Sequence, residues 1–176
     1  MKEKEYMRLE SDSIGTMEVP EDAYYGVQAL RAKENFPITG TKLHPVFIKN
    51  LAKIKRAAAI TNRKAGRLKP EIANAIEASA NEVICGMFDK DFIVDGIQGG
   101  AGTSANMNMN EVIANRAIEM LCGKKGDYTI VHPNDHVNMA QSTNDVIPTA
   151  GKLTVLDLLK PLDKSLSLLT EALYDK

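Results

Sequence analysis

The 176-residue sequence has no tryptophan, and aromatic residues make up only 5% of it. Alanine, leucine and isoleucine are plentiful instead, and this bias favours packed helices over a β-sandwich. Neither sign of charge is in excess, because 22 basic residues are balanced by 23 acidic ones for a net charge of −1. A nucleic-acid-binding protein usually carries a basic surplus, so the composition argues against a nucleic-acid partner.

Cysteine and long apolar runs are also scarce. Cys85 and Cys122 are too few for a disulfide-stabilised scaffold, and we expect two reduced thiols on buried helix faces. No run approaches the roughly 18 apolar residues that a membrane span requires. The charged N-terminus leads into no apolar segment typical of a secretory signal. The sequence therefore predicts a cytoplasmic protein that does not associate with membranes.

Prolines and helical periodicity predict most of the secondary structure. Residues 7–19 predict an irregular arm with at most a short strand. Pro20, followed by two acids, predicts a helix that ends at about Glu34. Pro45 and Pro70 each predict the first turn of a further helix, because apolar residues recur at helical spacing after both.

Two short apolar runs, 92–94 and 128–131, predict brief strands. The helix that begins at Pro45 carries six basic residues that resemble a phosphate-binding patch. Acids elsewhere cancel their charge and no aromatic residues interleave with them, so a solvated face is the prediction. These residues are Lys49, Lys53, Lys55, Arg56, Arg63 and Lys64.

From Val146 onward, leucines predict a long helix that is apolar on more than one side. Such a helix is usually buried in a bundle. It must dock on the preceding residues, oligomerise, or belong to a longer chain. The apolar pattern thus changes at Val146. The seam comprises Val155, Leu159, Leu162, Leu166, Leu169 and Leu173.

A glycine-rich loop over residues 98–104 precedes another predicted helix. The spacing Gly100-x-Gly102-x-x-Ala105 fits a dinucleotide fingerprint, but the apolar run before it is too short for the first strand of a Rossmann unit. We therefore predict that the chain is not a dinucleotide-binding module. Thr103 and the loop glycines could form an anion cradle at a helix N-terminus, and a simple glycine turn with an N-cap is an equal alternative.

Asn106, Asn108 and Asn110 give this helix a polar start, which indicates side chains committed to a site or to a buried network. A second polar loop, 142–145, precedes the long C-terminal helix. Its Ser, Thr and Asn side chains are typical of an N-cap and are also suited to holding a carboxylate. Two such loops in one chain favour a site for a small anionic molecule.

His132 and His136 lie four residues apart, but Pro133 between them disfavours a helical metal pair. No cysteine lies nearby, and Asp135 would be the only further ligand. The sequence therefore predicts no metal site. A role of either histidine as an acid or base stays open, beside the commoner hydrogen-bonded loop histidine.

These segments together resemble the aspartase/fumarase superfamily over essentially the whole chain from about Met7. The motifs are long, ordered and specific. Within the superfamily, Ser-Thr-Asn at 142–144 resembles the aspartate ammonia-lyases, since fumarases usually carry Ser-Ser-Asn. The matching segments are EVPEDAYYGVQ at 18–28, QGGAGTSANMN at 98–108, NEVIANRA at 110–117, HPNDHVN at 132–138 and QSTND at 141–145.

The resemblance implies a mainly α fold, in which an N-terminal helical domain with short strands (1–145) is followed by the first long helix of a central helical bundle (146–176). It also implies a homotetramer, and reversible elimination of ammonia from L-aspartate to give fumarate, through an aci-carboxylate and without a cofactor. Thr103, Ser142 and Thr143 would hydrogen-bond the substrate carboxylate, and Asn144 would contact the amino group. His132, Asn134 and Asp135 resemble a secondary dicarboxylate site.

Fumarate hydration to malate, as in class II fumarases, is the alternative within the superfamily. A non-catalytic helical interaction domain that dimerises through the leucine seam is the alternative outside it. No residue here matches the family's Thr-His segment or its Gly-Ser-Ser loop, which carries the catalytic serine base. We therefore identify no catalytic base and expect the 176 residues alone to be inactive.

Overall fold

A computed structural model describes residues 6–176 and forms a mainly helical fold with one β-hairpin. This confirms the predicted fold class. Short turns of 3-10 helix (Asp89–Asp91) and π-helix (Pro133–Val137) lie between the longer elements. The elements are β1 (Met7–Ser11), β2 (Thr16–Pro20), α1 (Val27–Asn35), α2 (Pro45–Lys64), α3 (Pro70–Ile84), α4 (Thr103–Met120) and α5 (Thr143–Tyr174).

The predicted irregular arm is a regular hairpin. Strands β1 and β2 pair antiparallel, with Leu9 opposite Glu18. The hairpin is tied to the next segment by Arg8, whose guanidinium donates to the carbonyl oxygens of Ala23 and Tyr25, each at 2.9 Å. Because one donor-rich side chain satisfies several loop carbonyls, the chain between β2 and α1 is held without regular structure.

The predicted helix start at Pro20 is wrong. Pro20 is the last residue of β2, where it lies opposite Met7, and α1 begins only at Val27. The two acids after Pro20 therefore do not lie in a helical first turn. Strand pairing holds this proline in extended backbone, which its fixed φ also allows.

A hydrogen-bond acceptor for the start of α1 comes instead from α4. The carboxylate of Glu111 accepts backbone N–H groups of Gly26, Gln28 and Ala29 at 2.8–3.0 Å. These are donors of the first helical turn, which have no partner within α1 itself. Glu111 is fully buried, and burial raises its pKa to about 7. A Cβ at Gly26 would collide with this carboxylate, so the close approach requires glycine.

Helices α2 and α3 begin at Pro45 and Pro70, which confirms both predictions. They pack on α4, the central helix, of which 13 of 18 residues are buried. The helices thus surround one apolar core, which continues into the first turns of α5. Its fully enclosed side chains include Leu51, Ile76, Val83, Met109, Val112 and Ile113.

Neither predicted brief strand is found. Phe92 and Val94 are buried in irregular chain, with one isolated bridge from Asp95 to Lys42. Residues 128–131 form turns. In both runs the apolar residues meet the helical core, so burial rather than sheet pairing explains them.

The predicted burial of the cysteines is also wrong, since both are exposed. Cys85 directly follows the last residue of α3. Cys122 lies just beyond α4 in left-handed backbone with a φ of 61°. Both lie past helix ends, where the side chains no longer face the core.

Helix α5 has two different halves. Val146, Ala150 and Thr154 are buried against the rest of the chain, and Asn50 of α2 donates to Thr154. Beyond Thr154 the leucines of the predicted seam are exposed, with Leu166 at 53%. None of the helices within residues 6–176 is long and apolar enough to cross a membrane.

Candidate functional site

Two helix N-termini carry the predicted carboxylate-binding residues. Helix α4 starts at Thr103, directly after Gly102 in left-handed backbone with a φ of 87°. Helix α5 starts at Thr143, and the hydroxyl of Ser142 accepts the N–H of Asn144 at 3.3 Å. Ser142 is therefore an N-cap, as one of the two interpretations of this loop required.

The two N-termini lie side by side. Asn106, in the first turn of α4, donates through Nδ2 to the hydroxyl of Thr143 at 3.1 Å. A Cβ at Gly102 would lie only 2.9 Å from Ile147 of α5, so glycine permits this close approach. The positive ends of two helix dipoles thus converge, and such an arrangement favours an anion.

The hydroxyl groups around this junction are accessible. Thr103, Ser142 and Asn144 are exposed, whereas Thr143 is half-buried. The structure thus brings the two predicted loops together through the Asn106–Thr143 hydrogen bond. Four neutral polar side chains at two helix starts can hydrogen-bond a carboxylate without supplying a full positive charge.

The glycine-rich loop is held by the side chain of Gln98. Its Oε1 accepts the N–H of Ala105 at 2.6 Å, and its Nε2 donates to the carbonyl oxygen of Asp95 at 3.0 Å. The Asp95 carboxylate in turn accepts the N–H groups of Thr39 and Gly40, both at 2.7 Å. The first turn of α4 is therefore fixed from a neighbouring loop rather than by its own cap.

The largest correction to the sequence-based predictions concerns Lys55. This residue was predicted to lie on a solvated face of α2, but its side chain is completely buried. Its ammonium donates to Oδ1 of Asn106 at 2.7 Å, Oδ1 of Asn138 at 2.8 Å and Oε1 of Gln141 at 3.0 Å. Burial lowers the pKa of Lys55 to about 7.

Sequence reasoning missed Lys55 because neighbouring basic residues such as Arg56 do lie exposed. The signal that pointed toward it was the asparagine-rich start of α4. The prediction of a buried network holds for Asn106 and Asn108, which are buried and hydrogen-bonded, whereas Oδ1 of the equally buried Asn110 has no hydrogen-bond partner among residues 6–176. Asn108, for example, accepts the N–H of Ile93 at 2.9 Å.

The histidine loop lies beside this junction. Nδ1 of His132 accepts the N–H groups of Asn134 and Asp135, both at 3.2 Å. Because Nδ1 acts as an acceptor, a neutral His132 carries its proton on Nε2. The backbone N–H of His132 is in turn bound by Nδ1 of His136 at 2.9 Å. Burial lowers the pKa of His136, which favours the neutral ring.

Two of the three residues predicted for a secondary dicarboxylate site lie at one cleft, and the site itself stays a prediction. His132 and Asn134 line a cleft of about 450 Å³, together with Ser104 of α4 and Arg31 of α1. Asp135 is exposed and does not line this cleft. Across residues 6–176, no three His, Cys, Asp or Glu side chains form a group that could hold a metal ion. The absence of a metal site stays a prediction.

A lyase family model matches residues 15–176, nearly the whole chain. The chain belongs to this lyase family. The resemblance stated from the sequence motifs is thereby confirmed, and both loops of the site lie within the matched range.

Related proteins with two different names match this lyase-family chain almost equally well. An aspartate ammonia-lyase from a Bacillus species is 55% identical over 156 residues, which cover 89% of this chain and 33% of the relative. A class II fumarate hydratase from Halobacterium salinarum is 52% identical over 170 residues, covering 96% and 36%. The chain thus spans about a third of the length of the curated relatives it matches.

A solved structure agrees with the fold of this lyase-family chain. The crystal structure of a fumarate lyase:delta crystallin from Brucella melitensis superimposes with a TM-score of 0.84 at 50% sequence identity. The match covers 86% of this chain and 36% of the Brucella chain. These relatives support the aspartase/fumarase superfamily, and they do not distinguish between an aspartate ammonia-lyase and a fumarate hydratase.

Proposed function

We propose that this chain supplies the carboxylate-binding part of an aspartate ammonia-lyase. In that reaction a proton leaves the carbon beside one carboxylate of L-aspartate, the carbon–nitrogen bond breaks, and fumarate and ammonia form. Removing the proton places a second negative charge on the neighbouring carboxylate, as an aci-carboxylate. Hydrogen-bond donors aimed at this group stabilise the transition state and account for much of catalysis in such reactions.

The convergence of the α4 and α5 N-termini is the observation that carries the proposal. Thr103, Ser142 and Thr143 are suited to donate to the carboxylate that takes the charge, and both helix dipoles favour an anion there. Asn144 is suited to contact the amino group, since its side-chain oxygen can accept a hydrogen bond. The identity with an aspartate ammonia-lyase supports the choice of substrate.

Hydration of fumarate to malate is the second candidate. It is favoured by the class II fumarate hydratase, which is almost as similar to the chain as the aspartate ammonia-lyase. Both reactions form a carbanion beside a carboxylate, so the same donors serve both. The two reactions differ in the nucleophile that adds to fumarate, which is ammonia for aspartate and water for malate.

Activity is best tested in a chimera in which this chain replaces the matching N-terminal portion of the Bacillus relative. We expect the chimera to convert fumarate plus ammonia into aspartate, and no malate to form in ammonia-free buffer. Formation of malate would replace the first candidate by the second. Product identification by chromatography separates the two.

In the same chimera, Thr143→Val removes one hydroxyl donor and retains the shape of the side chain. We expect turnover to fall by about 10²–10³-fold, the range observed for the loss of one oxyanion donor. Thr129→Val is the matched control, because the Thr129 hydroxyl donates to the Asp127 carboxylate in an exposed turn that belongs to neither α4 nor α5. Near-normal turnover of Thr143→Val would contradict the assignment of this residue.

The 176-residue chain by itself is expected to be inactive. Elimination requires a base within about 3 Å of the transferred proton, and no residue of the chain matches the family's serine loop. The test is a fumarate absorbance assay with excess L-aspartate, using a Thr103→Ala, Ser142→Ala variant to reveal contaminating host enzyme. Turnover that disappears in that variant would show the further segments to be dispensable.

We also propose that His132, Asn134 and Asp135 form a secondary dicarboxylate site and that the complete enzyme is a homotetramer. The cleft beside His132 supports the first proposal, although Asp135 lies outside its lining. The exposed leucine seam of α5 supports the second, since other copies of the helix can cover it.

A further inference from the structure

Lys55 has a set of partners unlike that of an ordinary buried cation. A buried ammonium is usually paired with a carboxylate. Here its three hydrogens go to three amide oxygens, those of Asn106, Asn138 and Gln141. Protonated Lys55 only donates, so in that state each of these amides turns its oxygen toward it.

This constraint fixes the orientation of Asn106. Because its Oδ1 is held by Lys55, its Nδ2 points the other way, to Oδ1 of Asn138 at 3.2 Å and the hydroxyl of Thr143 at 3.1 Å. The reversed orientation would place an NH₂ group against an ammonium. Lys55 thus excludes that orientation.

The hydroxyl of Thr143 consequently accepts a hydrogen bond from the protein and keeps its own hydrogen free to donate. Among residues 6–176 no group accepts that hydrogen. Three other helical threonines, Thr61, Thr154 and Thr170, behave differently, since each donates to the carbonyl oxygen four residues earlier. Thr143 cannot do so, because it is the first residue of its helix.

We infer that Lys55 and Asn106 are positioning residues, which direct the Thr143 hydroxyl to donate to a carboxylate oxygen of the substrate. The inference rests on the proposed function. The inference adds that the Thr143 hydroxyl recognises an acceptor such as a carboxylate oxygen, and not the amino group. In its protonated form Lys55 can only donate, and this sets the direction of the hydrogen bonds from Lys55 through Asn106 and Thr143 to the ligand.

The experiment reverses the hydrogen bond between residue 106 and the Thr143 hydroxyl, and it keeps the shape of the side chain at 106 nearly unchanged. In Asn106→Asp, both oxygens of the introduced carboxylate accept, so Lys55 stays paired while the Thr143 hydroxyl turns to donate to that carboxylate instead of the substrate. In the chimera with the Bacillus relative, we expect kcat/KM for aspartate to fall about 10–100-fold, the effect of losing a hydrogen bond to a charged group.

A double-mutant cycle separates positioning from structural damage. In a Thr143→Val background, Asn106→Asp has no hydroxyl to turn, so its additional effect should shrink to less than about twofold. Asn108→Asp is the matched control, because Asn108 is equally buried in α4 but bonds to the backbone around Asp91. Its effect on kcat/KM should be the same in both backgrounds.

Asn106→Ala supplies a second variant. It deletes the side chain without offering the Thr143 hydroxyl an acceptor, so we expect a smaller loss of kcat/KM than for Asn106→Asp. A purely structural role predicts the opposite order. If Asn106→Asp fails to fold, the cycle with Asn106→Ala and Thr143→Val still tests the coupling.

The outcomes distinguish the two proposals. If Thr143→Val impairs the chimera but the effect of Asn106→Asp is equal in both backgrounds, the positioning role is overturned and the proposed function stands. If Thr143→Val leaves kcat/KM unchanged, the role of Thr143 in the proposed function fails, and the positioning role fails with it. Coupling, together with a lower kcat/KM for Asn106→Asp than for Asn106→Ala, supports the inference.

Discussion

Helix α4 and the second half of α5 depart from the usual distribution of side chains in opposite ways. Helix α4 buries Asn106, Asn108 and Glu111, whereas α5 exposes leucines such as Leu159 and Leu166. Buried polar groups need hydrogen-bond partners, and these three side chains of α4 find them within the described chain. The leucines of α5 find none in the described chain. These α4 side chains thus have their partners within the chain, whereas the leucines of α5 require a second surface to bury them.

The largest expected effect is the loss of stability on removing a buried side chain of α4. Glu111→Ala leaves the buried N–H groups of Gly26, Gln28 and Ala29 without their acceptor and creates a cavity. We expect the free energy of unfolding of the 176-residue chain to fall by about 3–5 kcal/mol. Urea denaturation followed by circular dichroism measures it.

Glu119→Ala is the control for this variant, because Glu119 lies on the same helix but is partly exposed, where it pairs with Arg116. Its loss should cost about 1 kcal/mol or less. Equal losses of stability in the two variants would show that the buried Glu111 has no special structural role. They would contradict the contrast drawn between α4 and α5.

The exposed half of α5 provides the next test. The seam predicts that the isolated chain self-associates, and Leu159→Ser with Leu166→Ser should weaken the association. Burial of two leucines contributes about 3 kcal/mol or more, so the dissociation constant should rise at least about 100-fold. Sedimentation velocity at several concentrations measures this.

Lys160→Ala is the matched control on the same half-helix, since its side chain is 79% exposed and forms a surface pair with Asp157. Its effect on association should be within about threefold. A wild-type chain that sediments as a monomer at all concentrations would contradict the proposed role of the seam.

The smallest expected effect concerns the pH dependence of stability. The pKa of Lys55 is about 7 in the folded chain, against an ordinary value of 10.5. Between these values the unfolded chain binds more protons, so this group makes the free energy of unfolding rise with pH. The slope is at most about 1.4 kcal/mol per pH unit.

Lys55→Met removes this contribution while retaining a long side chain. Urea denaturation at pH 7, 8 and 9 should give a wild-type stability that rises relative to that of the variant. Parallel pH dependences of the two proteins would show that the pKa of the buried lysine is not lowered, and would indicate a hydrated ammonium.

The amino-acid sequence by itself determined the helices that start at Pro45 and Pro70, because proline at a first helical position acts locally. It also determined the two polar loops, the asparagine-rich start of α4 and the apolar seam of α5. Each of these is encoded by residues that are close together in the chain. The motifs were also long enough to indicate the family on their own.

Only the tertiary structure decided the partners of these elements. Strand pairing with Met7 placed Pro20 in a hairpin, and Glu111, far along the chain, provides the acceptor for the first turn of α1. Lys55 resembles its basic neighbours in sequence, yet it alone meets Asn106 and Gln141 inside the core. Burial and long-range hydrogen bonds depend on which surfaces meet in the fold. A local pattern of residue types does not predict those contacts.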